Sequence, residues 1–258
     1  MLHRLRRHPL EVEAFFRHSL VLTYALAPEV LRPLLPPGLR LDTYGRPDGS
    51  EIGFLAIALV ATRGLRPRFL PAFLGKDFFL SGYRIFARYD SRSGRTLRGL
   101  RILRSDTDSR LMVVAGNALT HYRYRKCTAR VVEEAGRLDV TITTHAGEAD
   151  LDVSAEIAGP PTLPPGSPFA DFVEARKFAG PLPFTFDYEA ETHSVVLIEG
   201  VRQAWDPRPV KVDVRTCTFF GHPPFVGLCP VLANAFYIRD IPYLWRPGIV
   251  EALPRGQA

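Results

Sequence analysis

The sequence predicts a mainly β (α+β) fold with two or three short helices, and three observations lead there. Segments such as Phe78 to Tyr89 alternate in side-chain character, with Tyr83, Ile85, Ala87 and Tyr89 set against Arg84, Phe86 and Arg88. Clusters of Gly, Pro, Asp and Ser bound these segments, as turns between strands require. Helix signals are confined to three short stretches.

The first predicted strand is the second half of Val12 to Leu26, where no sustained helical stripe exists. A short helix follows over Ala27 to Leu35, because Pro28 suits a first turn and Glu29 suits the positive helix end; Pro36-Pro37-Gly38 stops it. Leu39 to Thr43 and Gly53 to Thr62 read as strands around the turn Gly45 to Gly49, and Ser91 to Gly94 turns Phe78 to Tyr89 into Leu97 to Arg104. Ser105-Asp106-Thr107-Asp108 offers cap side chains for a helix to about Ala118, whose Leu111, Val114, Ala115 and Ala118 can share a face. Strands are then expected over Thr120 to Val132, Leu138 to Thr144 and Leu151 to Ala158. Gly159 to Pro168 reads as a loop, Phe169 to Phe178 as a helix, and Thr192 to Val201 and Val210 to Thr218 as strands.

The chain has 258 residues, 46% apolar and 23% charged, enough for a full core and within the size of one large β domain, so a single domain over 1–258 is expected. No apolar run approaches the ~20 residues of a membrane-spanning helix, and Glu11 and Glu13 interrupt the basic start as a signal peptide would not. No membrane association and a cytoplasmic location are the expectation. Cys127, Cys217 and Cys229 form an odd set without C-x-x-C spacing, which points to free thiols. The net charge of +6 is spread along the chain, so no nucleic-acid partner is expected. Phosphate-loop, dinucleotide and nucleophile-elbow motifs are absent. Neither a metal nor a cofactor is expected, with Asp106 and Asp108 read as helix caps.

Several stretches carry a resemblance. Leu20-Val21-Leu22-Thr23-Tyr24-Ala25-Leu26-Ala27-Pro28-Glu29-Val30-Leu31-Arg32-Pro33-Leu34-Leu35-Pro36-Pro37-Gly38-Leu39, then Gly82 to Tyr89, then Ser167 to Arg176 resemble, in order, the opening, arginine-bearing strand and later helix of an uncharacterised bacterial family in the acetoacetate decarboxylase-like superfamily. The resemblance implies a large, mainly antiparallel β-barrel or cone with a central cavity and peripheral helices. The decarboxylase pattern has a reactive lysine beside a second lysine. The nearest counterpart here is Ala115 to Lys126, ending Arg125-Lys126 without the paired lysines or the usual proline.

A lysine attacks a ketone to form a Schiff base only as the neutral amine, which requires apolar surroundings or a nearby cation; the general example of such activation is acetoacetate decarboxylase itself. Lys126 is the candidate catalytic residue. Tyr122 and Tyr124 share its expected strand face, while His121, Arg123, Arg125 and Cys127 share the other, and only one face can line a cavity. The first face suits a reactive pocket and the second a carboxylate-binding one; the bland alternative for Lys126 is solvent. Arg84, pointing inward, needs an anionic partner, which a substrate carboxylate or a structural salt bridge would supply. Arg84, Tyr122, Tyr124 and Arg125 are therefore the candidate substrate-binding residues, and Trp205 a candidate at the cavity mouth. Two functions fit: a lyase acting on a keto or carboxylate compound, or a non-catalytic binder of an organic acid or hydrophobic metabolite. The partner in both is a small molecule, and a homo-oligomer is compatible with either.

Overall fold

The computed structural model describes residues 2–254 apart from Pro181 and Ala204, with the backbone alone at Leu2. After a 3-10 turn at Leu2–Arg6 come β1 (Val12–Leu26), α1 (Pro28–Leu31), β2 (Leu39–Leu41), β3 (Tyr44–Gly45), β4 (Glu51–Pro67), β5 (Lys76–Asp90), β6 (Thr96–Thr107) and α2 (Arg110–Leu119). They are followed by β7 (Tyr124–Glu134), β8 (Arg137–Thr144), β9 (Leu151–Glu156), α3 (Phe172–Ala179), β10 (Phe184–Glu189) and β11 (Ser194–Arg202). The chain ends with β12 (Arg208–Pro209), β13 (Lys211–Cys217), β14 (Val231–Trp245) and β15 (Ile249–Ala252). No helix among the described residues is long and apolar enough to cross a membrane.

All these strands belong to one sheet, so Tyr24, Tyr83, Arg84 and Tyr124 share a continuous sheet system as the alternation predicts. β1 lies between β14 and β4, antiparallel to both, and β4, β5 and β6 continue antiparallel. β6 then meets two parallel partners: Gly99 to Arg101 pair with β10, and Ser105 to Thr107 with the start of β7. β11 pairs with β10 and reaches β14 at Gly200 to Arg202. The pairings therefore return to β1, in a circuit through β4, β5, β6, β10, β11 and β14. The sheet is mainly antiparallel, as expected, with two parallel pairings; at one of them the helical crossover α2 returns the chain beside β6 in the same direction.

The two faces of the circuit differ in side-chain size. On β4, Leu55, Ile57 and Leu59 point outward with Leu20 and Leu22 of β1 and Tyr83 and Ile85 of β5. Leu138, Val140 and Ile142 of β8 and Leu151, Val153 and Ala155 of β9 cover them, so the antiparallel layer β7–β8–β9–β13 closes the main core. Each fully buried Leu or Ile there contributes roughly 1.5–3 kcal/mol of transfer free energy. The opposite face of β4 carries Ala56, Ala58 and Val60, and these small side chains leave space inside the circuit.

Several local expectations are corrected. β1 occupies all of Val12–Leu26, since pairing on both sides sustains its first half. β6 runs on through Thr107, and the cap of α2 is Ser109, whose Oγ accepts from Met112 N at 3.2 Å. Asp106 instead pairs with Arg104, and Asp108 accepts from Phe79 N at 2.8 Å. On α2, Leu111 and Val114 are exposed and Gly116 is buried, because the helix packs against Tyr124 through the side bearing Met112 and Gly116. β7 begins at Tyr124 and not at Thr120: Asn117 holds the Tyr124 backbone from both sides, at 2.7 and 2.8 Å, and Arg123 turns there with φ 54°.

Candidate functional site

Inside the circuit lies a cavity of about 400 Å³, within the usual range for small-molecule pockets. Its floor is the small-residue face of β4 with Ser19 and Val21 of β1, and its far wall includes Phe86, Leu100 and Phe236. α2 covers one side through Met112, Ala115 and Gly116. Leu70 and Leu74, from the β4–β5 connection, meet Leu111 at the rim. Among the described residues no Asp or Glu lines this space, and its charged lining groups are all cations: Arg66, Lys76, Arg84 and Arg202.

Arg84 is the distinctive one. A register shift between Tyr83 and Arg84 marks a bulge against β6, the kind of irregularity that re-aims side chains beside sites. Tyr83 turns outward to stack on Phe219 with centroids 4.2 Å apart, and Arg84 turns inward. Its side chain is half-buried and lines the cavity, with the guanidinium enclosed by protein. Among the described residues Arg84 forms no ion pair, and its Nε is buried without a hydrogen-bond partner. Burial lowers its pKa from the usual guanidinium value, partly offset by the Tyr243, Tyr122 and Tyr124 hydroxyls.

The other two arginines are already engaged, and the lysine faces solvent. Arg66 pairs with Glu13 and donates to the Leu70 and Gly64 carbonyls at 3.0 and 3.1 Å. Arg202 lies 4.5 Å over the Trp205 ring, and Lys76 is exposed at the rim. Tyr122 and Tyr124 meet edge to face at 6.1 Å, and burial pushes both phenols up, so they stay neutral and able to donate. Thr185 lies beside the Tyr122 hydroxyl without hydrogen-bond geometry. Ser81 Oγ and Trp205 Nε1 are further buried lining atoms without partners.

The structure thus brings Arg84, Tyr122, Tyr124 and Trp205 together and leaves Lys126 and Arg125 outside. Lys126 is exposed, and its Nζ donates to the Cys127 carbonyl at 2.7 Å. The expectation that it shares a face with the tyrosines is corrected. β7 pairs with β6 only over Tyr124 to Lys126 and with β8 from Cys127 onward, so the strand changes layers there and its alternation resets. Tyr122 precedes the strand altogether. Arg125 is exposed and paired with Glu148 at 2.5 Å. The other lysines, Lys177 and Lys211, are also exposed. His8, buried with its Nδ1 unpartnered on the cavity wall, and Tyr243 were not signalled by the sequence, since neither belongs to a motif.

A family model described as an uncharacterized conserved protein, DUF2071, matches residues 13–238. The chain belongs to this family. No curated protein matches it. Among solved structures, the DUF2071 chain is similar to an acetoacetate decarboxylase from Legionella pneumophila at 13% identity and TM-score 0.61, over 95% of this chain and 88% of that one. It is similar to an acetoacetate decarboxylase-like enzyme from Sphingomonas wittichii RW1 at 13% identity and TM-score 0.61, over 96% and 94%. The enduracididine biosynthesis enzyme MppR, complexed with pyruvate, matches at 14% identity and TM-score 0.58, over 94% and 90%. At these identities the likeness establishes the acetoacetate decarboxylase-like fold and leaves the chemistry to the site.

Proposed function

We propose that this DUF2071 protein binds a small organic acid with an apolar body in the cavity, its carboxylate held by Arg84. One observation carries the reading: among the described residues the enclosed guanidinium has no ion pair, and no Asp or Glu lines its cavity. Burying an unpaired charge costs several kcal/mol, and a carboxylate accepting two parallel N–H bonds offsets that cost with matching geometry. The neutral hydroxyls of Tyr122 and Tyr124 are suited to donate to the same ligand, Tyr243 lines the same space, and the apolar walls suit the ligand's body. MppR, of similar fold, was solved with pyruvate, itself a small carboxylate.

Binding is favoured over a lysine Schiff base at Lys126, because that chemistry needs an enclosed amine and the four lysines of this chain are exposed. The test is calorimetric titration with monocarboxylates of increasing apolar length, alongside their uncharged amides. Acids are expected to bind at least tenfold tighter than amides, and Arg84→Met is expected to abolish the difference. Equal binding of acid and amide by the wild type would sink the reading.

A further inference from the structure

Thr120 and Tyr124 form a wall common to the cavity and to a second hollow of about 470 Å³ on the outside of the molecule. Arg6, Arg101, Arg123 and Arg125 line this hollow, and among the described residues no Asp or Glu does. Two of the four are neutralised locally: Arg101 donates to Asp187 at 2.7 Å, and Arg125 pairs with Glu148. Arg6 and Arg123 have neither an ion pair nor a side-chain hydrogen bond among the described residues. His121 lines the same hollow, with its Nε2 buried and unpartnered among the described residues.

The backbone supports the same reading. Arg123 occupies the left-handed region, φ 54°, which a non-glycine residue seldom adopts without compensation. The Asn117 side chain imposes the bend through its two hydrogen bonds to Tyr124, and the result directs into the hollow an arginine that has no hydrogen bond or ion pair from its side chain among the described residues.

We propose that this hollow is an anion site for a small phosphorylated molecule, held by Arg6, Arg123 and His121 and independent of the cavity. Guanidiniums and an imidazole N–H are donors matched to phosphoryl oxygens, and two guanidiniums without ion pairs, Arg123 facing only the buried Asp187 that Arg101 already holds, favour a dianion over a monocarboxylate. A compact hollow walled by Tyr188, Asn117 and Thr120 favours a small ligand over an extended polymer.

The experiment compares the full-length wild type with Arg123→Gly and Arg6→Gln, using inorganic phosphate and pyrophosphate against chloride at matched ionic strength. Thermal melts and calorimetry provide the readouts. Glycine adopts φ 54° without strain, so Arg123→Gly is expected to melt no lower than wild type while binding phosphate at least tenfold more weakly. Arg6→Gln is expected to weaken binding similarly. Phosphate also stabilises proteins by exclusion from their surfaces, an effect that persists in the variants, so equal responses from wild type and Arg123→Gly would overturn the site. A single-stranded oligonucleotide that binds at this hollow where pyrophosphate fails to compete would overturn it in favour of a nucleic-acid surface. Arg84→Met is expected to leave the phosphate response unchanged, which separates this proposal from the cavity reading.

Discussion

Arg84 lies folded across Gly82: a Cβ at Gly82 would sit 2.8 Å from Arg84 Nε and 3.1 Å from one terminal nitrogen. Gly82 stands opposite Ala58 of β4 and Ser105 of β6, so the missing side chain is what lets the guanidinium lie low over the cavity floor. Gly82→Ala should therefore displace the guanidinium while the fold tolerates the methyl, since the clash falls on the mobile end of a long side chain. The expected result is at least a fivefold loss in carboxylate affinity with a melting temperature within about 3 °C of wild type, equivalent to roughly 1 kcal/mol. Unchanged affinity would show that the guanidinium position does not govern binding.

Arg84→Met separates a ligand-binding arginine from a structural one by the sign of its effect on the unliganded protein. A structural ion-pair member would lose stability on truncation, whereas Arg84 leaves behind no uncompensated carboxylate and relieves a buried charge. The variant should be about 2 kcal/mol more stable than wild type in urea, and organic acids should no longer raise its melting temperature. A drop in stability would place a hidden structural partner beside Arg84.

Much of this fold is legible in the sequence where one physical cause dominates. β5 shows clear alternation because one face packs into the main core and the other carries Arg84 and Phe86 toward the cavity. β14, Val231–Trp245, is not marked as a strand from sequence, because Asn234, Asp240 and Pro242 punctuate it; long pairing with β1 carries it through. The face of α2 is misread for a related reason. Its apolar residues divide between a wall against Tyr124 and an exposed rim, and a periodicity argument assumes a single buried side. Arg84 could be found because a charge in an alternating strand demands an explanation. The cavity entered only through the resemblance, because periodicity does not mark a floor of small side chains such as Ala56 and Ala58, and its closure depends on two short pairings, β6 with β10 and β11 with β14.

Reductive trapping tests the lysine chemistry directly. With pyruvate or acetoacetate and borohydride, an enclosed amine of the kind Schiff-base formation uses would gain a stable adduct, but Lys126 donates to the Cys127 carbonyl from the exposed side of β7. Mass spectrometry is expected to find Lys126 unmodified under conditions in which carboxylate binding is saturated, and Lys126→Ala should bind organic acids as wild type does. An adduct confined to Lys126 and lost in Arg84→Met would restore the lyase reading.

Two buried histidines, His8 and His18, and the half-buried His121 contribute to the response of stability to acid. Burial is the leading cause that lowers the pKa of His8, His18 and His121, so each is held neutral in the folded chain while its unfolded counterpart titrates near 6.5. Just below that value the unfolded chain binds more protons than the folded one, and stability falls as pH falls. Their contribution is complete above about pH 6.5 and is lost toward the lower folded values. His18 is the most tightly described: its Nδ1 lies 2.8 Å from the Tyr237 hydroxyl and its Nε2 lies 3.7 Å from Glu133, with Arg17, Arg239 and Asp240 adding smaller opposing effects. At lower pH a different carboxylate takes over. Glu189, hydrogen-bonded to Arg7 and Thr192, is held down at about 2 from 4.5, so its contribution disappears only between those values. Asp106 and Asp187, raised by burial, act in the opposite sense above their ordinary value, so the histidine contribution is isolated by comparing wild type with a histidine variant over the interval from pH 7 to 5. Urea midpoints measured across that interval should decline for wild type and decline less for His18→Gln, which removes one titration while keeping a side chain able to reach Tyr237. An equal slope in wild type and variant from pH 7 to 5 would show that His18 is not held neutral by the fold.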